Sequence, residues 1–173
     1  MKYHLQPNLT FIALFLLIFS LLGCSAFKPP KEYSFENKRT FLSDQDKVWS
    51  AVVEYFAEQN IPIKNMDKSS GFIATEYWIS PSWVKGSMID ADCGELGGLN
   101  DYQTLKLTVQ FNVFVKKLSE TQTSAQVNTT FRGIWNYQPF MADRAIEKEV
   151  NCSSTGKLEA KVLDGITAKL VSN

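Results

Sequence analysis

The chain has 173 residues, 18 lysines and arginines against 18 aspartates and glutamates, and one histidine, His4. That length suits a single domain. A balanced charge with no basic stripe gives nucleic-acid binding no electrostatic support.

Lys2 precedes an uncharged run from Leu9 to Leu22. The run falls short of the roughly 20 apolar residues that a bilayer span needs, but it suits the core of a signal peptide. Leu21-Leu22-Gly23-Cys24 closes it. This resembles the lipobox of bacterial lipoproteins, in which the cysteine thiol is acylated and becomes the mature N-terminus. The resemblance implies loss of residues 1–23 as signal peptide, lipid on Cys24, an oxidising compartment, and attachment to a membrane without crossing it. In Gram-negative lipoproteins an aspartate after the cysteine tends to retain the protein in the inner membrane. Ser25 stands there in this chain, so the rule implies the outer membrane, on its periplasmic face.

Losing residues 1–23 also removes His4 and leaves the mature chain without an imidazole. Ser-His and Cys-His nucleophile pairs are then excluded, as are histidine-containing zinc sites. With Cys24 used for lipid, Cys93 and Cys152 remain. In an oxidising compartment they most simply form one intramolecular disulfide. Two separate thiols, or pairing with another chain, are the alternatives.

Residues 24–37 read as a lipidated tether. Pro29-Pro30 forbids helix there, and Lys28, Lys31 and Glu32 favour solvation. A single globular domain is expected over residues 38–173. Arg39–Leu42 reads as a strand, followed by a helix with Ser43 as N-cap, running to about Gln59. Its apolar face is Val48, Trp49, Val52, Val53 and Phe56. Ile61–Met66 and Phe72–Ile79 read as a hairpin around the turn at Asp67–Gly71.

Ser80 to Tyr102 is a long irregular insertion that contains Cys93. Strict alternation then marks Leu105–Lys116 and Ser124–Trp135 as a long antiparallel hairpin with one wet face. Trp135–Val150 reads as a loop with a short helical turn. Ser154–Val171 reads as a second helix with a stripe of Leu158, Val162, Leu163, Ile166 and Leu170. The expected class is therefore α+β: an antiparallel sheet of about five strands with two helices on one face.

Val48-Trp49, Asn60-Ile61-Pro62-Ile63, Asp67 and Gly71-Phe72-Ile73 resemble the repeated modules of BamC-like (NlpB) outer-membrane lipoproteins. The match runs from Thr40 to Ile79. It implies a helix-grip fold, in which a helix lies across an antiparallel sheet. Those proteins carry two such modules and a long N-terminal segment that docks on a partner. This chain has one module, a short tether and a cysteine pair outside that pattern. The resemblance therefore implies fold and compartment, not membership of the outer-membrane assembly machine.

Ser153-Ser154-Thr155-Gly156-Lys157 fails as a phosphate loop: Asn151 stands at the leading glycine position and Leu158 follows the lysine. Asp90, Asp92 and Glu95 fail as a calcium loop, because Gly94 and Glu95 occupy its fifth and sixth positions. No catalytic residue, cofactor or metal is expected. The remaining signal is aromatic: Trp78, Trp83, Trp135, Tyr137 and Phe140 gather at strand ends and in irregular segments, where binding surfaces concentrate such residues. Phe114 falls on the otherwise polar side of its strand. These six form the candidate interaction surface. The expected function is a non-enzymatic, periplasm-facing accessory of an envelope complex, with a membrane as partner through Cys24 and one envelope protein as the other. A carrier of a small apolar ligand or lipid is the alternative. A carboxylate-based hydrolase is the weaker one.

Overall fold

The computed structural model of the chain describes residues 27–79, 90–97 and 100–172. The expected signal peptide and Cys24 lie outside the described residues. Helix α1 (Gln45–Glu58) starts one residue later than Ser43 would place it. Asp44 is the cap, because its extended backbone lets its carboxylate accept the Lys47 amide at 2.9 Å. That bond holds the Asp44 carboxyl below the ordinary carboxylate range. Val48, Trp49, Ala51, Val52, Tyr55 and Phe56 then repeat at helical spacing and are buried.

Among the described residues, eight strands form one antiparallel sheet: β2 (Lys38–Phe41), β3 (Ile63–Asp67), β4 (Phe72–Thr75), β5 (Trp78–Ile79), β6 (Ala91–Asp92), β8 (Asn100–Ser119), β9 (Gln122–Pro139) and β10 (Ile146–Ser154). β1 (Phe27–Lys28) and β7 (Glu95–Leu96) make a separate pair. The central path runs β3-β4-β8-β9-β10-β6. β5 joins β8 beyond β4, and β2 joins β9 beyond β10. The α+β class holds, but the sheet exceeds the five strands expected.

Three local features account for the difference. The return strand expected over Phe72–Ile79 splits in two. Ala74 faces Asn112 and Trp78 faces Val109, so one extra residue must bulge. The Thr75 hydroxyl spans that break, donating to the Phe111 carbonyl at 3.1 Å and accepting its amide at 3.0 Å. The loop expected over Trp135–Val150 is largely strand. β9 continues to Pro139, and β10 pairs back along it from Ile146↔Tyr137 to Cys152↔Phe131. Charges at Glu147, Lys148 and Glu149 mask a weak alternation in which Lys148, Val150 and Cys152 are half-buried and Glu147, Glu149 and Asn151 exposed. Finally, the insertion contributes β6, β7 and the start of β8.

Helix α2 (Lys157–Ser172) packs beside α1 on the same face of the sheet. The main core lies between these helices and the sheet: Val48, Val52, Phe56, Ile73, Phe111, Val113, Val127, Val162 and Ile166 are all fully buried. The Phe56 and Phe111 rings meet edge-to-face, with centroids 5.3 Å apart. A second cluster of Ala91, Cys93, Leu107, Val109 and Phe131 sits further along the same face. There Cys93 and Cys152 form the expected disulfide, closing a separation of 59 residues. Among the described residues no helix is long and apolar enough to cross a membrane.

Candidate functional site

The segment expected as a tether is extended and largely exposed, yet it runs along the domain from Phe27 to Asn37. Phe27 and Lys28 pair with Leu96 and Glu95. The Lys148 ammonium lies 3.7 Å from the centre of the Phe27 ring. Asp92 then gathers three donors: the Gly94 amide at 2.8 Å, the Lys31 amide at 3.2 Å and the Tyr33 hydroxyl at 3.0 Å. At the far end the Asn37 carbonyl accepts the Val127 amide at 2.8 Å.

Two glycines make room for this strap. Gly94 has φ +75°, and a Cβ there would overlap the Lys28 carbonyl. Gly156 has φ +83°, and a Cβ there would overlap the Phe35 ring. Both are left-handed positions that suit glycine, and both leave space that the strap fills.

Burial acts to raise the pKa of Asp92, but hydrogen bonds from Gly94, Lys31 and Tyr33 outweigh it and leave the carboxyl below its ordinary range. A depressed folded value means that the Asp92 contribution is complete above the unfolded value of about 3.9 and is lost as pH falls through the folded one. The strap is therefore expected to loosen only below about pH 4. At neutral pH, Asp92→Ala is expected to speed amide hydrogen exchange over residues 27–33 while leaving α1 unchanged. Equal exchange in both proteins would show that Asp92 does not pin the strap.

The aromatic candidates whose side chains are described do not form one patch. Trp83 lies outside the described residues, and Trp78 is described only by its backbone, opposite Val109. Trp135 is half-buried on the core side, where its indole N–H donates to the Cys93 carbonyl at 3.5 Å. Tyr137, two residues on, is also half-buried. Phe140 is 55 % exposed in the turn after β9. Phe114 is 40 % exposed on the opposite, open face, facing Phe72 on β4 and Gln126 on β9. From Gln126 to Pro139 the strand runs about 43 Å at about 3.3 Å per residue, so Phe114 and Phe140 belong to different regions.

Beside Phe114 and its cross-strand partner Phe72 the open face is polar. The Asn128 carbonyl oxygen accepts from the Asn37 and Gln126 amides, both at 3.1 Å, and its own amide donates to Asn112 at 3.0 Å. Alternation in the sequence foretells this row, but nothing in it announces that Asn37 joins it. Sequence reasoning also misses a groove of about 590 Å³ at the other end of the helices, lined by Phe41, Leu42, Leu170 and Val171 with Asp46 and Lys47. Leu42 and Val171 are more than four-fifths exposed there. Two isolated residues at the ends of elements leave no periodic trace.

The most engaged carboxylates serve the fold. Glu159 is 1 % exposed in the first turn of α2, where the helix dipole favours an acid. It accepts from the Thr129 hydroxyl and, at 2.8 Å, from the Ser154 hydroxyl. Ser154 in turn accepts the Gly156 amide at 3.1 Å. Among the described residues no group of three histidine, cysteine, aspartate or glutamate side chains could hold a metal ion. Compared with known proteins, the chain matches no family model and no curated protein.

Proposed function

We propose that the chain is a non-enzymatic outer-membrane lipoprotein, anchored through lipid on Cys24 and facing the periplasm. Its BamC-like helix-grip domain acts as an accessory or protein-interaction module of an envelope complex. The observation that carries this reading is the strap. Phe27 is paired into the domain, and Cys24 precedes it by three residues, a reach of at most about 11 Å. A lipid on Cys24 would hold the domain against the membrane in one orientation. An accessory that presents a fixed face to a neighbour needs such an anchor.

The filled interior between helices and sheet supports an interaction module over a carrier that encloses its ligand. Phe114, amid the polar row of Asn112, Gln126 and Asn128, is the apolar point of the contact face. Placing a photo-crosslinking residue at Phe114 is expected to change stability by no more than about 0.5 kcal/mol, as for other exposed positions. In cells it should trap one envelope protein, and the product should vanish in Cys24→Ala. The intact mass of the purified chain should correspond to loss of residues 1–23 with acyl chains added. An acylated chain that yields no crosslink from position 114 would defeat the accessory role. A chain that keeps residues 1–23 and gains no acyl mass would defeat the anchor.

The groove at Leu42 and Val171 favours a second reading, a carrier of a small apolar ligand held at the open end of the helices. Solvent extraction of purified protein yielding one stoichiometric lipid would move the function there. The hydrolase reading has the least support, since Asp92 and Glu159 are each engaged by amide or hydroxyl donors.

A further inference from the structure

We propose that the turn between β9 and β10 is a membrane-contact element, entering the lipid surface beside the anchor. This rests on the reading of Cys24 as the lipid-bearing residue.

The turn exposes a compact apolar tip. Phe140 is 55 % and Met141 85 % exposed, and Ile146, the first residue of β10, is 43 % exposed. The tip is held in shape. The Ala142 amide donates to the Pro139 carbonyl at 2.9 Å, and the Gln138 side-chain amide donates to the Ala142 carbonyl at 2.8 Å. Met141 takes φ +64°, a left-handed conformation that this closed turn imposes. Rigid apolar residues projecting at a turn lose little conformational entropy on entering another phase.

Its position is what names the occupant. Lys148, whose ammonium covers the Phe27 ring, lies two residues along β10 from Ile146. The strap therefore reaches the domain at the same end of the sheet as the apolar tip, and three further residues lead back to Cys24. A bilayer holding that lipid lies within reach of Phe140 and Met141. Asp143 and Arg144 follow the tip and offset each other in charge, which suits a zwitterionic headgroup layer. Another exposed apolar group, at Leu42 and Val171, lies near the opposite end, since Phe41 pairs with Thr123. That is about 50 Å along β9 from Pro139 at about 3.3 Å per residue. The same distance makes Leu42 an internal control.

The test uses the full-length protein reconstituted in vesicles of phosphatidylethanolamine and phosphatidylcholine, both zwitterionic. A nitroxide is attached at Met141→Cys, and in separate preparations at Phe140→Cys and Leu42→Cys. Relative accessibility to oxygen and to a water-soluble nickel complex reports depth. Labels at 141 and 140 should favour oxygen several-fold over the label at 42. Labels at 141 and 140 as aqueous as that at 42, in protein whose mass shows acylated Cys24, would overturn the membrane contact while leaving the anchor intact. Protein without acyl mass refutes the anchor. In that protein, buried labels at 140 and 141 would still support the contact, and aqueous ones would overturn it as well.

Discussion

Replacing Cys93 and Cys152 together with alanine is expected to cost about 4 kcal/mol of stability. The bridge closes a separation of 59 residues, and the loss of chain entropy from an unfolded loop of that length gives about 4 kcal/mol. Cys93 is fully buried beside Leu107, Val109 and Phe131, so the cluster loses packing as well. The consequence reaches further than stability. β6 and β7 flank Cys93 and carry Asp92 and the strand that pairs with Phe27. Cutting the bridge should therefore raise hydrogen exchange over residues 27–33 before the main core responds. Urea denaturation of the wild-type and double-alanine proteins measures the first effect. A loss under about 1 kcal/mol would mean that the bridge does not constrain the unfolded chain as this length requires.

Phe56→Ala is expected to cost about 3–5 kcal/mol, the range for emptying a large aromatic site in a core. Phe56 is fully buried, and its ring meets Phe111 at the centre of the contact between α1 and β8. Truncation removes that contact and leaves a cavity that the two rigid elements cannot close. Denaturant titration should show an earlier midpoint with an unchanged slope. A loss below about 1 kcal/mol would show that the layer between helices and sheet can collapse. It would open a carrier reading of a different kind, with the ligand enclosed in that layer and not held in the groove at Leu42 and Val171. Because Phe114 lies on the other face of the sheet, the two positions separate fold from contact: a change at 56 should cost stability, and a change at 114 should leave stability nearly unchanged.

Periodicity carried the large elements. Val48, Val52 and Phe56 repeat every turn, and Leu107 to Val115 alternate. Each pattern reports a face that has one side in water, whatever else the chain does. The cysteine pair was legible for a different reason: with Cys24 read as lipidated and the compartment as oxidising, the two remaining thiols have few other fates. β10 was not legible, because its charged residues satisfy their side chains in solvent and only its neighbour β9 makes it a strand. The break at Thr75 was equally hidden, since it follows from how many residues β8 places opposite β4 and β5.

The sequence by itself determined the α+β class, the two helical faces and the wet side of the long hairpin, and it favoured pairing of Cys93 with Cys152 over separate thiols or another chain. All of these rest on local patterns or on arithmetic. Only the tertiary structure decided that residues 27–37 lie along the domain, that Trp135 turns inward to Cys93 while Phe140 turns out, and that Phe140 and Met141 share an end of the sheet with Phe27. Those outcomes depend on contacts between segments more than 40 residues apart, such as Lys31 with Asp92, Asn37 with Asn128 and Cys93 with Trp135. The physical reason is that an extended, polar segment has no face of its own. Its place is set by the donors and the glycine gaps that the rest of the fold offers it.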